Sequence, residues 1–209
     1  MVKGCDAARP RPRDRIIETA RDLFRKRGFR GIGVDAIAEA ARTNKMTLYR
    51  HFGSKDDLIV ACLREVAAEA ETMWEDFEAA HPGHPMAQLH DWVRSAAECA
   101  TDSRGCDIAN AAVELTERDH PARKVIEQFK TTHRDRLATL CRAAGIEQAD
   151  LLADALSLLI EGARVSWQTV GPEGSGARFI AISEAIIAAF GDSNAMATRP
   201  LTAPERIPV

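Results

Sequence analysis

A chain of 209 residues, 45% of them apolar, holds enough material for a sizeable core in one large domain or two modest ones. It contains no apolar run long enough to cross a bilayer, and its charged, Pro-rich N-terminus lacks the apolar core of a secretory signal; together these point to a cytoplasmic protein with no membrane partner. The net charge of −3 conceals an asymmetry, because residues 1–55 hold 14 Lys and Arg against 6 Asp and Glu while the remainder holds 14 against 25, as a phosphate-binding head on a non-binding body requires.

Residues 1–13 are expected to form a disordered basic tail, since Arg9, Pro10, Arg11, Pro12 and Arg13 carry like charge and offer nothing to pack. A first helix is predicted over 14–27, with Ile16, Ile17, Ala20, Leu23 and Phe24 as its buried stripe and Gly28 as the glycine that stops it. Gly31 and Gly33 mark the turn into a pair of short helices within 34–52. Val34, Ile37, Ala38 and Ala41 share one face of the first; Leu48 and Phe52 share one face of the second. Turned outward on that second helix are Lys45, Thr47, Tyr49, Arg50 and His51. A helix of this width, anchored on its apolar side, fits the major groove of duplex DNA.

Ser54 is a good N-cap for a long helix over 55–80, with Asp56 and Asp57 in its first turn, and His81-Pro-Gly-His-Pro85 ends it. Further helices are predicted at 86–101, 107–117, 121–143, 147–170 and 175–190, with Pro121 at a helix N1 position and Gly145 separating two segments. Residues 191–209, with three prolines, are expected to be a flexible tail. Nothing alternates with period two for long enough to make a strand, so the fold class is all-α: a three-helix helix-turn-helix domain over 14–54 followed by a larger helical domain over 55–190.

These residues resemble the tetracycline-repressor-like (TetR/AcrR) family of transcription regulators. The resemblance rests on Ile16-Ile17, Ala20, Leu23-Phe24, Gly28-Phe29, Val34, Ile37-Ala38 and Ala41, then on Thr47-Leu48-Tyr49-Arg50-His51-Phe52 and Ser54-Lys55-Asp56-Asp57-Leu58. It covers residues 14–63 in order and without gaps. Beyond them it implies a helical ligand-binding and dimerisation domain, of which the run from Arg104 to Glu114 resembles one subgroup. Two positions depart from the family pattern. Ile32-Gly33 stands where a Thr-Ser or Thr-Thr pair is common, losing a hydroxyl that caps the second helix and touches a phosphate. Arg42 stands in the turn where Gly is usual; either it is strained at positive φ, at roughly 1 kcal/mol, or the turn differs and Arg42 adds a phosphate contact.

The expected DNA-binding set is therefore Arg42, Lys45, Thr47, Tyr49, Arg50, His51 and Lys55. Arg or Lys bonds guanine, a Thr methyl meets a thymine methyl, and Tyr49 and His51 hold phosphates. Lys55, among the open N–H groups of the next helix, suits a phosphate on charge grounds, and the resemblance implies the same role. Arg9, Arg11, Arg13 and Arg15 follow the backbone, enter a minor groove, or form a solvated tail of non-specific affinity.

One head grips little DNA, so specific binding implies a homodimer on a near-palindromic double-stranded operator. Leu152, Leu156, Leu159 and Trp167 on one long helix, with Phe179, Ile182, Ile186 and Phe190 on the next, are the expected interface. An unidentified small-molecule effector is expected against Trp74, Trp92, Asn110, Glu114, His133 and Trp167, and the Asn110/Glu114 pair suits a cationic or hydrogen-bonding one. His81, His84 and His90 have no matching second cluster, so neither metal nor cofactor is expected. The five cysteines form no C-x-x-C pair, which suits a reduced compartment. A thiol switch among Cys99, Cys106 and Cys141 is the alternative mode of sensing. An enzyme is not expected, because no Gly-rich phosphate loop, nucleophile elbow or paired metal motif is present and His133 and Cys141 lie eight apart with no oxyanion site. A protein-binding scaffold would show no salt-dependent affinity for DNA.

Overall fold

The computed structural model describes residues 11–101, 105–171 and 175–191; they form nine α-helices and no strand. The helices are α1 (Pro12–Arg27), α2 (Val34–Ala40), α3 (Lys45–Phe52), α4 (Lys55–Ala80), α5 (Pro85–Ala100), α6 (Asp107–Glu114), α7 (Ala122–Ala143), α8 (Ala149–Val170) and α9 (Ser175–Gly191). The all-α class holds, and the local chemistry accounts for most boundaries. Gly28, at φ +75, closes α1 by donating its N–H to the Phe24 carbonyl at 2.8 Å. Ser54 Oγ accepts the Asp57 N–H at 3.0 Å and donates to the Asp57 carboxylate at 2.6 Å, a reciprocal cap that starts α4.

Three expectations move. Helix α1 begins at Pro12, whose fixed φ suits the first turn, so residues 12 and 13 are helical instead of tail. Arg13 lies over the Phe52 ring at 5.7 Å and pairs with Glu65 at 3.7 Å, while Arg15 donates to the Ala41 carbonyl at 2.8 Å. Both are braces of the fold. Arg9, with the rest of residues 1–10, and the expected C-terminal tail from 192 onward lie outside the described residues. Helix α6 stops at Glu114, short of 117, where Arg30 binds the Glu114 carbonyl and the Phe29 N–H its carboxylate. Pro121 takes the N-cap of α7 in place of N1.

Two apolar clusters divide the molecule. The first joins Ile16, Phe24, Ile37, Leu48 and Leu58 of α1–α4 to Ile108 and Ala111 of α6 and Ile126 of α7. It therefore crosses the expected boundary between residues 54 and 55. The second packs α5, α7, α8 and α9 around Trp92, Leu137, Leu152, Leu156 and Phe179, with Trp74 from the far end of α4. The expected interface residues need revision here. Leu152 and Leu156 are fully buried and Phe179 nearly so, inside the protomer, where they cannot meet a second chain. Leu159, Ile186 and Phe190 are half-buried against the same cluster, and Trp167 is half-buried. Ile182 is exposed, together with Leu151, Leu158 and Val165, which stand seven apart along α8.

Candidate DNA-reading helix and internal cavity

Helix α2 ends in a reciprocal pair of backbone bonds. The Thr43 N–H reaches the Ala38 carbonyl at 2.9 Å and the Arg42 N–H reaches the Glu39 carbonyl at 2.9 Å, with Arg42 at φ +50 in the left-handed region. Among the described residues Arg42 is the one non-glycine at positive φ, so the turn keeps the shape that a glycine would give it and carries an exposed guanidinium instead. Asn44 then caps α3, accepting the Thr47 N–H at 2.8 Å. Leu48 and Phe52 bury one side of α3. Gly33, the N-cap of α2, supplies no side-chain cap, and a Cβ there would meet nothing within 4 Å.

At 100° per residue the line opposite Leu48 and Phe52 runs through Met46 and Arg50, flanked by Thr47 and His51 on one side and Tyr49 on the other. Met46 is 82% exposed, an apolar side chain held out where a thymine methyl would be read. It was not among the expected residues, yet its phase on the helix was readable. Tyr49, Arg50 and His51 are exposed and Thr47 half-buried. Lys45 pairs with Asp35 of α2 at 3.0 Å, which raises its pKa and braces α3 against α2. Lys55 is the first residue of α4 and half-buried; burial pushes its ammonium below the ordinary lysine value, against the opposing pull of Asp56.

In the body, α4, α5, α6, α7 and α8 line a cavity of about 670 Å³ that opens to solvent beside the exposed Leu158 and Cys99. Trp92 and His133 line it, with Met73, Phe129, Ile108 and Ile160 completing its apolar wall. The other expected effector residues stand elsewhere. Trp74 meets the His133 ring at 5.1 Å, tilted by 54°, and lines a neighbouring recess between α4 and α7. Asn110 sits with Gln168 against Gly105, outside the cavity lining, and Trp167 is also outside it. Glu114 is committed to the Phe29 N–H at 2.7 Å, so it makes no Asn110/Glu114 pair for a cationic ligand. Polar groups missed at the sequence level reach the cavity from α8: Ser157, Glu161 and Arg164. Their spacing of four and three on an otherwise apolar face was the available signal.

Helix α6 fastens this cavity to the head at both of its ends. Asp107, 5% exposed, accepts hydrogen bonds from Arg21 Nε at 3.2 Å and Arg25 Nη2 at 2.8 Å. Arg21 also holds Glu69 of α4 at 2.8 Å, depressing that carboxyl's pKa. Glu114 at the other end holds Phe29 and Arg30. Cys106 and Ile108, at the start of α6, line the cavity. One short helix thus touches both the cavity and α1.

Cys99 and Cys106 share the cavity wall, whereas Cys141 is buried in the second cluster. A hydrogen bond with Cys99, together with burial, holds the Cys106 thiol well above the ordinary range, and burial pushes Cys141 up to about 11. That is the direction opposite to a reactive thiolate. His81 and His90 pair separately with Asp91 and Glu184, and His84 with the Pro82 carbonyl. Among the described residues no cluster suits a metal ion, and no helix is long and apolar enough to cross a membrane.

Residues 16–62 match the profile of the bacterial regulatory proteins of the tetR family. The HTH-type transcriptional repressor DhaR of Mycobacterium sp. (strain GP1) is 28% identical over 167 residues, covering 77% of this chain and 81% of that protein. The HTH-type transcriptional regulator RutR of Escherichia coli K12 is 32% identical over 91 residues, covering 42% of this chain and 40% of that protein. A TetR-family transcriptional regulator from Streptomyces coelicolor superposes with a TM-score of 0.80 at 24% identity, covering 87% of this chain and 96% of the other. A tetR-type regulator from Streptomyces avermitilis superposes with a TM-score of 0.69 at 29% identity, covering 87% and 98%. With residues 16–62 matching the tetR family, a helix-turn-helix head, an all-helical body and these relatives, the chain is similar to the tetR-family regulators and is a DNA-binding transcription regulator.

Proposed function

We propose that this chain acts in the cytoplasm as a homodimeric repressor, holding a palindromic operator through two copies of α3 and releasing it when a small molecule fills the cavity. The observation that carries this reading is the position of α6, whose first turn lines the cavity and whose Asp107 and Glu114 grip α1 and the loop after it. A ligand that displaces Cys106 and Ile108 moves Asp107 with them, and the Arg21 and Arg25 contacts carry that movement to the head. Helix α4 supplies the second lever, because it begins beside α3 and lines the cavity through Val66, Ala70 and Met73. Differential affinity for two head spacings is the only thermodynamic requirement.

The exposed line of Leu151, Leu158 and Val165 on α8, beside Ile182 on α9, offers the apolar face that a two-fold partner would cover. Arg50 and Met46 supply the groove contacts, with Arg42, Tyr49, His51 and Lys55 on phosphates and Lys45 and Thr47 at the flanks. Selecting bound duplexes from a random library tests the reading. An inverted repeat should emerge, with affinity falling steeply as salt rises. A monomer that ignores every duplex at low salt sinks it.

A further inference from the structure

We infer that the cavity takes a small molecule with an apolar, ring-sized body and one carboxylate head, which Arg164 receives with Ser157 and His133 as neutral partners beside it. This rests on the reading of the cavity as the effector site and names the chemistry of what enters it.

Three covered polar atoms have no hydrogen-bond partner: His133 Nδ1, Ser157 Oγ and Arg164 Nε. All three side chains belong to the wall of the one cavity. The indole N–H of Trp92 only donates, and it reaches His133 Nε2 at 3.2 Å, so Nε2 accepts and the ring proton sits on Nδ1. Burial, reinforced by Arg164 and Arg136, lowers the His133 pKa to about 4, which keeps the imidazole neutral near pH 7. Two of the unmet groups are therefore obligate donors and the hydroxyl is able to donate. Buried donors without acceptors are costly, and a ligand that brings acceptor oxygens removes that cost.

Charge points the same way. Glu69 is held by Arg21 at 2.8 Å, and Arg134 is held by Asp150 and Asp154 at 2.8 and 2.7 Å. What remains is Glu161, shared between Lys130 at 2.8 Å and Arg164 at 3.4 Å, which leaves an excess cation. The second Arg164 nitrogen has only the Cys99 sulfur, at 3.6 Å, and sulfur is a weak acceptor. A carboxylate replaces it with a charge-assisted bond. A cationic ligand would meet Lys130 and Arg164 instead. Trp92, Met73, Phe129, Ile108 and Ile160 receive the apolar body.

Phenylbutyrate, phenylbutanol and phenylbutylamine carry one body with a negative, neutral or positive head. Titration calorimetry of the full chain should rank the acid about tenfold or more above the alcohol, with the amine weakest. Arg164→Gln should bring the acid down to the alcohol while the alcohol keeps its affinity, which shows that the variant is folded; Arg164→Lys should restore part of the preference. An amine that binds as well as the acid, an acid preference that survives Arg164→Gln, or no binding by the acid at millimolar concentration overturns the proposal. Gel shifts on the selected duplex separate the two readings. If the acid binds through Arg164 and the operator stays bound, the regulatory reading fails and the ligand class stands. If the amine alone releases the operator, the ligand class fails and the regulatory reading stands.

Discussion

Arg42 holds a backbone conformation that costs an L-residue roughly 1–2 kcal/mol, part of which a glycine would give back through its larger unfolded-state entropy. Arg42→Gly is therefore expected to raise stability by up to about 1 kcal/mol in urea unfolding. The same variant should bind DNA more weakly at all sequences and lower the salt slope by about one, since a phosphate contact is lost. Stability and affinity moving in opposite directions would identify Arg42 as retained for binding. His133 gives a pH-dependent counterpart. Its pKa of about 4 in the fold lies below the ordinary 6.5, so between these values the unfolded chain binds a proton that the native state refuses. Stability should be full above pH 6.5 and decline by up to about 3 kcal/mol as pH falls toward 4. In His133→Gln that slope should flatten, as read by unfolding at a series of pH values.

Among the elements, α6 stands apart because its two charged ends are held by the head: Asp107 by Arg21 and Arg25 of α1, and Glu114 by Phe29 and Arg30 in the loop after it. Its eight residues would be marginal as an isolated helix. They are held by Ile108 and Ala111 in the first apolar cluster and by the ion pairs at Asp107. Asp107→Asn leaves Arg21 and Arg25 without their buried counter-charge, and a loss of about 3 kcal/mol is expected. If α6 is the coupling element, this variant should also bind operator with little response to a cavity ligand, measured by gel shift with and without it. An unchanged response in a folded variant would move the coupling to α4. Gly28 belongs to the same joint: it sits at φ +75, and a Cβ there would come within 2.7 Å of the Glu114 carboxylate and push it off the Phe29 N–H.

For the whole molecule the apolar line along α8 is the feature that one chain leaves unfinished. Leu158 is 74% and Val165 61% exposed, beside Ile182 at 45%. Isolated exposed apolar residues are ordinary, but a run at heptad spacing beside a second exposed helix is an interface pattern. Val165→Glu with Ile182→Glu should yield monomers by sedimentation with the helical content intact. Operator affinity should then drop by about 100-fold or more, because two heads no longer bind as one unit. A dimer that survives both charges would place the interface elsewhere.

The helices and the reading head were legible from the chain because their signals are local. A buried stripe recurs every three to four residues, Gly28 and Ser54 punctuate it, and the phase of α3 separates Leu48 and Phe52 from Met46 and Arg50. Helical content and the direction of the DNA-facing side follow from neighbours four residues apart. What only the tertiary structure decided involves partners far apart in sequence. Glu114 reads as a ligand carboxylate until Phe29, 85 positions away, takes it. Leu152 and Phe179 read as interface residues until their own protomer buries them, and Arg164 becomes a cavity residue only once α8 packs beside α4, α5, α6 and α7. An apolar stripe states that it must be covered, but not by which surface; packing alone chooses between a neighbour in the same chain, a second chain and a ligand.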